Sequence, residues 1–290
     1  MPPDDFDPFD DLLSTLDLTA EENDVFRGHS QMQPHGRVYG GQVIAQGVIA
    51  AGRTLEDVDE RFLHSLHGYF LRPGDLHEPI RFEVERLRDG RSFSARRVHA
   101  LQFGRPILAM TMSFQTPSEG LDHQSVMPAV PDPDTLPSAV ESLSALKNPV
   151  SDYLAATRPI DLRHSQGHLY AVPRRQRSNE QSVWIRAAGT VPSDDHLVHA
   201  AILAYASDYT LLESVLREHG LAWADRRLRA ASLDHAMWFH RPFRADEWIL
   251  YAQESPSAQG GRGLGLGRMF DESGTLVATV AQEGMLRLKQ

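Results

Sequence analysis

Two stretches far apart in this chain run into the same ending. Leu63–Gly74 reads Leu-His-Ser-Leu-His-Gly-Tyr-Phe-Leu-Arg-Pro-Gly and Ala230–Phe243 reads Ala-Ala-Ser-Leu-Asp-His-Ala-Met-Trp-Phe-His-Arg-Pro-Phe, both containing aromatic-x-Arg-Pro. Arg72 and Arg241 stand 169 positions apart, and the same spacing sets Tyr69 on Trp238, Phe70 on Phe239 and Pro73 on Pro242. Ser92 then falls on Gly261 and, after one inserted residue, the turn glycine Gly104 falls on Gly274. A chain that repeats itself at this distance reads as two copies of one supersecondary unit.

Within each copy the order of elements is readable. Gly40–Ala51 is small and apolar nearly all round, as in a helix buried on most sides. Its glycines cost about 1 kcal/mol each relative to Ala, which close packing against a sheet would offset. Turn signals then separate four strands, His64–Leu71, Ile80–Arg88, Ser92–Phe103 and Ile107–Gln115. In the second copy His196–Ser207 is the apolar helix and Asp208–Leu216 opens or continues another. Strands are expected again over Ala230–Arg241, Trp248–Ser255, Gly261–Phe270 and Leu276–Leu286, with a further one at Ser182–Ala187. A central helix wrapped by a curved antiparallel sheet, twice in one chain, is an α+β double hotdog. The expected units span residues 25–117 and 179–290. Residues 1–24 are an acidic tail over Met1–Phe9 and a short amphipathic helix carried by Leu12, Leu13 and Leu16, expected from Asp10 to Leu18. Residues 118–178 are a linker, with helical spacing at Ser138–Lys147.

Composition narrows the function classes. The 290 residues, 41% hydrophobic, leave room for two cores of about 100–150 residues each. The absence of Cys removes disulfides, cysteine nucleophiles and thiolate metal sites. Asp4, Asp5, Asp7 and Asp10 give the start of the chain the wrong sign for a secretory signal. No apolar run approaches the roughly 20 residues of a membrane span, so a cytoplasmic protein is expected. A formal charge of −10 argues against a nucleic-acid partner, while the prevalence of Arg among the cations leaves room for a phosphorylated ligand.

Several apparent motifs dissolve on inspection. Ser232, Asp234 and His235 are three triad residue types side by side, but strand alternation sends Ser232 and His235 to opposite faces, and no Gly-x-Ser-x-Gly elbow occurs. The glycines at 261, 263, 265 and 267 lack the Lys-Ser/Thr ending of a phosphate loop. They are expected to share one bare strand face that lets the central helix approach. The 14 histidines form no ligand cluster with acidic partners, so no metal or cofactor is expected. Arg72 and Arg241 precede Pro in both copies and are read as turn residues, whereas the arginines of Arg88–Arg97 could meet phosphates.

The longer motifs carry a resemblance. Gly40-Gly41-Gln42, His64–Asp75, Arg88–Val98, Tyr205-Ala206-Ser207-Asp208, Asp234–Pro242 and Gln282-Glu283-Gly284 resemble, in this order and with similar gaps, the type II acyl-CoA thioesterases, a bacterial and peroxisomal double-hotdog family. The resemblance covers about Val25 to Arg287 and implies hydrolysis of fatty acyl-CoA to CoA and a free acid, with acyl-CoA as the partner. It also implies that the chain forms homodimers or homotetramers. The family's catalytic Asp, Thr or Ser, and Gln fall on Asp208, Ser232 and Gln282. Ser232 stands where bacterial relatives often carry Thr, keeping the hydroxyl and losing the methyl that restrains its rotamer.

These three suit the chemistry. A thioester carbonyl is electrophilic and its thiolate leaves readily, so an activated water with oxyanion stabilisation suffices. Asp208 would take the water's proton, Ser232 and Gln282 would orient it, and backbone N–H groups at a helix N-terminus would hold the oxyanion. Taken singly, Asp208 is as readily a helix cap, and Ser232 and Gln282 ordinary strand residues. The repeat spacing sets Asp208 on Tyr39, Ser232 on Leu63 and Gln282 on Met112, so one site per chain is expected, in the second unit. Two other readings compete: an enoyl-CoA hydratase-like hotdog enzyme, which would need a His such as His235 or His199 beside the Asp, and an acyl-CoA-binding protein without catalysis.

Overall fold

The computed structural model describes residues 3, 5–173 and 175–289. Met1, Pro2 and Asp4 of the expected tail lie outside them. The rest of that tail gives way to helix α1 (Pro8–Leu16) earlier than the apolar spacing indicates. Asp7 accepts from the backbone N–H groups of Phe9 and Asp10, and Pro8 takes the first helical position, where its missing N–H costs nothing.

Strands β1 (Thr19–Ala20) and β2 (Val25–Gly28) precede the buried helix α2 (Gly40–Gly52), which is followed by β3 (Phe62–Phe70), β4 (Ile80–Asp89), β5 (Phe93–Gln102) and β6 (Arg105–Gln115). The connecting region holds α3 (Ala139–Ser144), α4 (Pro149–Thr157) and β7 (Ile160–His164). The second half continues with β8 (Glu180–Ala187), the buried helix α5 (His196–Ser207), α6 (Glu213–Glu218), β9 (Leu228–Ser232), β10 (Asp234–Phe239), β11 (Ile249–Gln259), β12 (Arg262–Asp271) and β13 (Leu276–Leu288). Among the described residues these strands form one antiparallel sheet, ordered β1-β2-β4-β5-β6-β3-β10-β13-β12-β11-β8-β7, with β9 beside β13. A tandem pair of hotdog units accounts for this order, each sheet curving round its own helix. No described helix is long and apolar enough to cross a membrane.

The halves are joined where β3 pairs with β10, and the register there exposes their symmetry. His67 lies opposite Ala236, its own counterpart 169 positions on, so a local two-fold passes through this pair. The repeated arginines make the same bond in each half: Arg72 Nη1 donates to Pro106 O (2.7 Å) and Arg241 Nη1 to Leu276 O (3.0 Å). Gly104 and Gly274, also matched by the repeat, both take positive φ (68° and 86°) in their hairpin turns.

In several places the structure departs from the reading of the sequence. The linker contains β7, whose five residues alternate buried Ile160 and Leu162 with half-buried Asp161 and Arg163, too short a run to stand out. The helical stretch expected at Ser138–Lys147 is the short α3, and a second helix outside it, α4, follows; each is opened by a capping box, Ser138 with Glu141 and Asn148 with Ser151. The strand expected over Ala230–Arg241 breaks at Leu233, whose N–H and C=O are taken by Glu283 O and Phe70 N. That break voids the alternation between Ser232 and His235, and both side chains bond groups at the end of α5.

The glycine face of β12 admits a different neighbour from the one expected. Gly261 lies in the β11–β12 turn (φ 76°). A Cβ on Gly263 would meet Val215 of α6, one on Gly265 would sit 2.7 Å from Leu211 O, and Gly267 faces Tyr251. The element brought close is therefore the turn into α6 rather than the central helix α5. Because the atom opposing Gly265 is backbone and cannot rotate away, Gly265→Ala is expected to lower stability by about 1–3 kcal/mol, read as a lower denaturation midpoint. An unchanged midpoint would mean that the Leu211 turn yields freely.

Candidate active site

The site is assembled where the two central helices pass each other. α2 and α5 run antiparallel, so the N-terminus of α2 meets the C-terminus of α5, where Asp208 is the C-cap. The glycines of Gly40-Gly41 make that approach possible. A Cβ on Gly40 would lie 2.8 Å from Asp208 Oδ2, and one on Gly41 would clash with the Tyr205 carbonyl. A carboxylate at a helix C-terminus faces the negative end of that helix's dipole, and here the positive end of α2 compensates. The Gly41 backbone N–H donates to the Asp208 carboxylate.

Asp208, Ser232 and Gln282, distant in sequence, come together at this junction. Gln282 Nε2 donates to Asp208 Oδ1 at 2.6 Å and to Ser232 Oγ at 2.8 Å, and Ser232 Oγ reaches Asp208 Oδ1 at 3.5 Å. The amide's two donors are thereby divided between its neighbours, while Gln282 Oε1 is buried without a partner among the described residues. Gln282 comes from β13 and Ser232 from the end of β9, held opposite Gly284 in the same ladder. Burial pushes the Asp208 carboxyl up to about 6, against the opposing pull of Gln282, the Gly41 N–H and Ser232. Such a group is mostly ionised at neutral pH yet basic enough to accept a proton.

The surrounding residues fix this arrangement. Ser207 Oγ lies 2.8 Å from Ala204 O and 2.9 Å from His235 Nε2. Burial holds His235 down to about 4, so the ring is neutral, and it is turned toward α5 rather than toward a ligand. Tyr39, which precedes α2, donates to Tyr205 O (2.9 Å) and stacks on Tyr209 with ring centroids 4.9 Å apart. A cleft of about 570 Å³ opens over the junction, lined by Asp208, Ser232, Gly40, Tyr39 and Arg37 among others. Gln282, 1% exposed, stands behind it. Of this wall, sequence reasoning named only Asp208 and Ser232; the Gly-Gly pair before an apolar helix was the one further signal available.

The first unit lacks the same groups. Leu63 and Met112 occupy the positions of Ser232 and Gln282, as the register shows: Leu63 pairs with Phe114 and Ser232 with Gly284, while His67 pairs with Thr111 and Ala236 with Ala281, which sets the next residues, Met112 and Gln282, in the same place. The counterpart of Asp208 needs correction. The helices begin at Gly40 and His196, 156 positions apart, so Asp208 corresponds to Gly52 rather than Tyr39. The second unit inserts α6 between helix and strand, which shifts the spacing from 156 to 169 by the time Ser232 is reached at the end of β9. The two-fold also places a cleft of about 760 Å³ at the opposite end of the helix pair, where Leu63, His64, His196 and His199 stand in place of the polar trio. The arginines of Arg88–Arg97 serve in part to hold the fold: Arg96 is 1% exposed and bonds Thr54 and Asp89, and Arg97 bonds Glu85.

Comparison with known proteins agrees with this architecture. A family model described as acyl-CoA thioesterase matches residues 160–285, and one described as acyl-CoA thioesterase N-terminal domain matches residues 29–115. The chain is 37% identical to acyl-CoA thioesterase 2 of Haemophilus influenzae, over 98% of this chain and 99% of that one. It is 42% identical to the crystal structure of an acyl-CoA thioesterase II from Mycobacterium marinum, with a TM-score of 0.78 over 97% of this chain and 98% of that one. A hotdog-fold protein from Alicyclobacillus acidocaldarius superposes with a TM-score of 0.78 at 18% identity, over 97% and 99% of the two chains, a likeness of fold alone.

Proposed function

The chain belongs to the type II acyl-CoA thioesterase family, and from that premise we propose that it hydrolyses fatty acyl-CoA with Asp208 as general base and Ser232 and Gln282 as its positioning partners. The reading rests on one observation: a carboxylate whose pKa is lifted to about 6 lines a cleft beside a hydroxyl, both held by one buried amide.

Asp208 takes a proton from a water that Ser232 also contacts, and the water oxygen bonds to the thioester carbonyl carbon. Collapse of the tetrahedral intermediate breaks the C–S bond. The thiolate leaves as CoA, receiving the proton from Asp208 or from solvent, and the acyl group leaves as a free acid. Gln282 acts through its neighbours, because both its donors are already engaged. Gly41 N–H is spent on Asp208, and we assign the neighbouring Gly40 N–H at the α2 terminus to the thioester oxygen. Ser232 is not a nucleophile in this scheme, since the nearest histidine in sequence, His235 of β10, is bonded to Ser207.

A base of this kind acts deprotonated. Thiol release from a medium-chain acyl-CoA is therefore expected to rise with pH through an acid limb centred at about 6 in kcat/KM, and to level off above it. A profile flat across that range would remove Asp208 from the role. The hydratase reading is disfavoured because His235 faces Ser207 and His199 bonds Ala245 N and Ser193 O beside the opposite cleft. Crotonyl-CoA should accordingly yield no hydroxyacyl product. A binding protein without catalysis would be stabilised by acyl-CoA and release no thiol.

A further inference from the structure

The strand that ends at Ser232 has one edge without a partner strand. Among the described residues β9 pairs with β13 alone, whereas β10, which follows it, lies between β13 and β3. The register decides which backbone groups face outward. Leu233 N–H donates to Glu283 O and Lys289 N–H to Arg227 O, so between them Arg229 and Ala231 turn their N–H and C=O toward β13. Leu286 N–H donates to Gly261 O on the far side of β13, which fits the same alternation. The N–H and C=O of Ala230 and Ser232 therefore point away from the sheet.

These groups open onto the Asp208 cleft. Ala230, Ala231 and Ser232 all line it, and since neighbouring side chains of a strand project to opposite faces, what the cleft meets is the edge itself. Arg229, Ala230 and Ala231 are exposed in succession, and the two alanines leave the backbone approachable. An open strand edge is a template for an extended partner. The substrate of this family carries its acyl group on a pantetheine arm, an extended chain with two secondary amides separated by two methylenes. An edge presents outward N–H and C=O groups at every second residue, about 6.7 Å apart, a spacing that such an arm can follow.

The direction is also set. Beyond Leu233 the edge is taken by β3, so from Ser232 it is open only toward Leu228. At that end Arg229 stands directly opposite Arg287 in the ladder, a like-charge pair that is unfavourable on its own. Among the described residues neither has a carboxylate within ion-pair distance, while the neighbouring Arg227 and Arg262 are paired with Asp225 and Glu283. In a chain of net charge −10 this local excess of cations suits the diphosphate at the end of the arm.

We propose that the pantetheine arm adds to the open edge of β9 as a further strand would, its amides exchanging hydrogen bonds with the N–H and C=O of Ala230 and its diphosphate reaching Arg229 and Arg287. The inference rests on the acyl-CoA site assigned at Asp208 above. Backbone recognition of this kind holds the thioester beside Ser232 without any contact to the acyl group.

The test compares thiol release from four octanoyl thioesters: those of CoA, of pantetheine with both amides, of N-acetylcysteamine with one, and of ethanethiol with none. From pantetheine to ethanethiol kcat/KM is expected to fall about fivefold for each amide lost, the usual weight of a neutral hydrogen bond. Ala230→Pro removes the outward N–H and spares the ladder, because an edge strand accepts a proline whose missing N–H faces outward. It should lower kcat/KM about fivefold on the pantetheine thioester, chiefly through KM, and least on the ethanethiol ester. The advantage of CoA over pantetheine should be about tenfold and should collapse when Arg229→Gln and Arg287→Gln are combined; an advantage left intact overturns the placing of the diphosphate. Equal kcat/KM for the pantetheine and ethanethiol thioesters overturns the proposal, as does an equal loss on both in Ala230→Pro. Should that variant fail to fold, amide hydrogen exchange in the wild type decides. S-octyl-CoA, a thioether that resists hydrolysis, should slow exchange at Ala230 about tenfold or more, and no slowing overturns the proposal. Slow exchange before ligand is added, deepening with protein concentration, would give the edge to a second copy of the chain and overturn it too. Release from all four thioesters at one rate rejects the β9 edge only, whereas no release from any of them rejects the Asp208 assignment and this proposal with it.

Discussion

Asp208→Asn is expected to lower kcat by about 10²–10⁴-fold while leaving the protein folded. The amide is nearly isosteric and its oxygen can still accept from Gln282 Nε2, so the junction of α2 and α5 keeps its shape; what is lost is the capacity to take a proton. The same substitution has a second expected outcome that separates lost chemistry from lost structure. The Asp208 carboxyl is raised in the folded state, from the ordinary 3.8 to about 6, so the native protein binds this proton more tightly than the unfolded chain. Native stability therefore falls as pH rises from about 3.8 through about 6, and above that the whole penalty is present. A shift of this size corresponds to at most about 3 kcal/mol at neutral pH. Asparagine carries no charge and removes the penalty, so the inactive variant should melt no lower than wild type at neutral pH, and any gain should vanish on acidification. Wild-type turnover in this variant would discard the general base, and inactivity with a depressed melting temperature would point to damage instead.

How much of this was legible in the sequence differs between fold and site. The duplication was legible because architecture repeats: Arg72 and Arg241 hold equivalent carbonyls, and Gly104 and Gly274 take equivalent turns. α2 and α5 were legible because helices buried on every side leave no polar stripe. The break at Leu233, the brevity of β7 and the neighbour of the β12 glycines were not, since each is decided by a partner strand or turn far away in sequence. The wrong counterpart for Asp208 came from carrying a spacing valid from the end of β9 onward back across the inserted α6.

The site was less legible still. Asp208, Ser232 and Gln282 sit on a helix cap and two strands, and no periodicity links them; only the family resemblance named them together. Their meeting depends on antiparallel contact between α2 and α5, which the two-fold at His67 and Ala236 imposes. The same contact explains why Gly40-Gly41 must be small, a requirement invisible until the other helix is in place.

The second large effect is expected at a residue that does not line the cleft. Gln282→Met installs the residue that the first unit carries at the same ladder position, Met112, and should reduce kcat by about 10²–10³-fold, the scale seen when one preorganised donor is removed from an active site. Stability should change little, because the side chains are close in size and the substitution also removes Gln282 Oε1, buried without a partner among the described residues. The informative readout is the pH profile. Gln282 is the strongest of the interactions that hold the Asp208 carboxyl down against burial, so its loss lets desolvation act with less opposition and moves the acid limb above about 6. Part of the deficit at neutral pH should then recover in more alkaline buffer as Asp208 ionises. The remainder should persist at every pH, because Ser232 Oγ has lost the 2.8 Å donor that fixed it. A limb left at its wild-type position, whatever the rate, would show that Gln282 does not govern the charge of Asp208. A shifted limb with full recovery would make the amide a pKa device alone, and a shifted limb with partial recovery would assign it both roles.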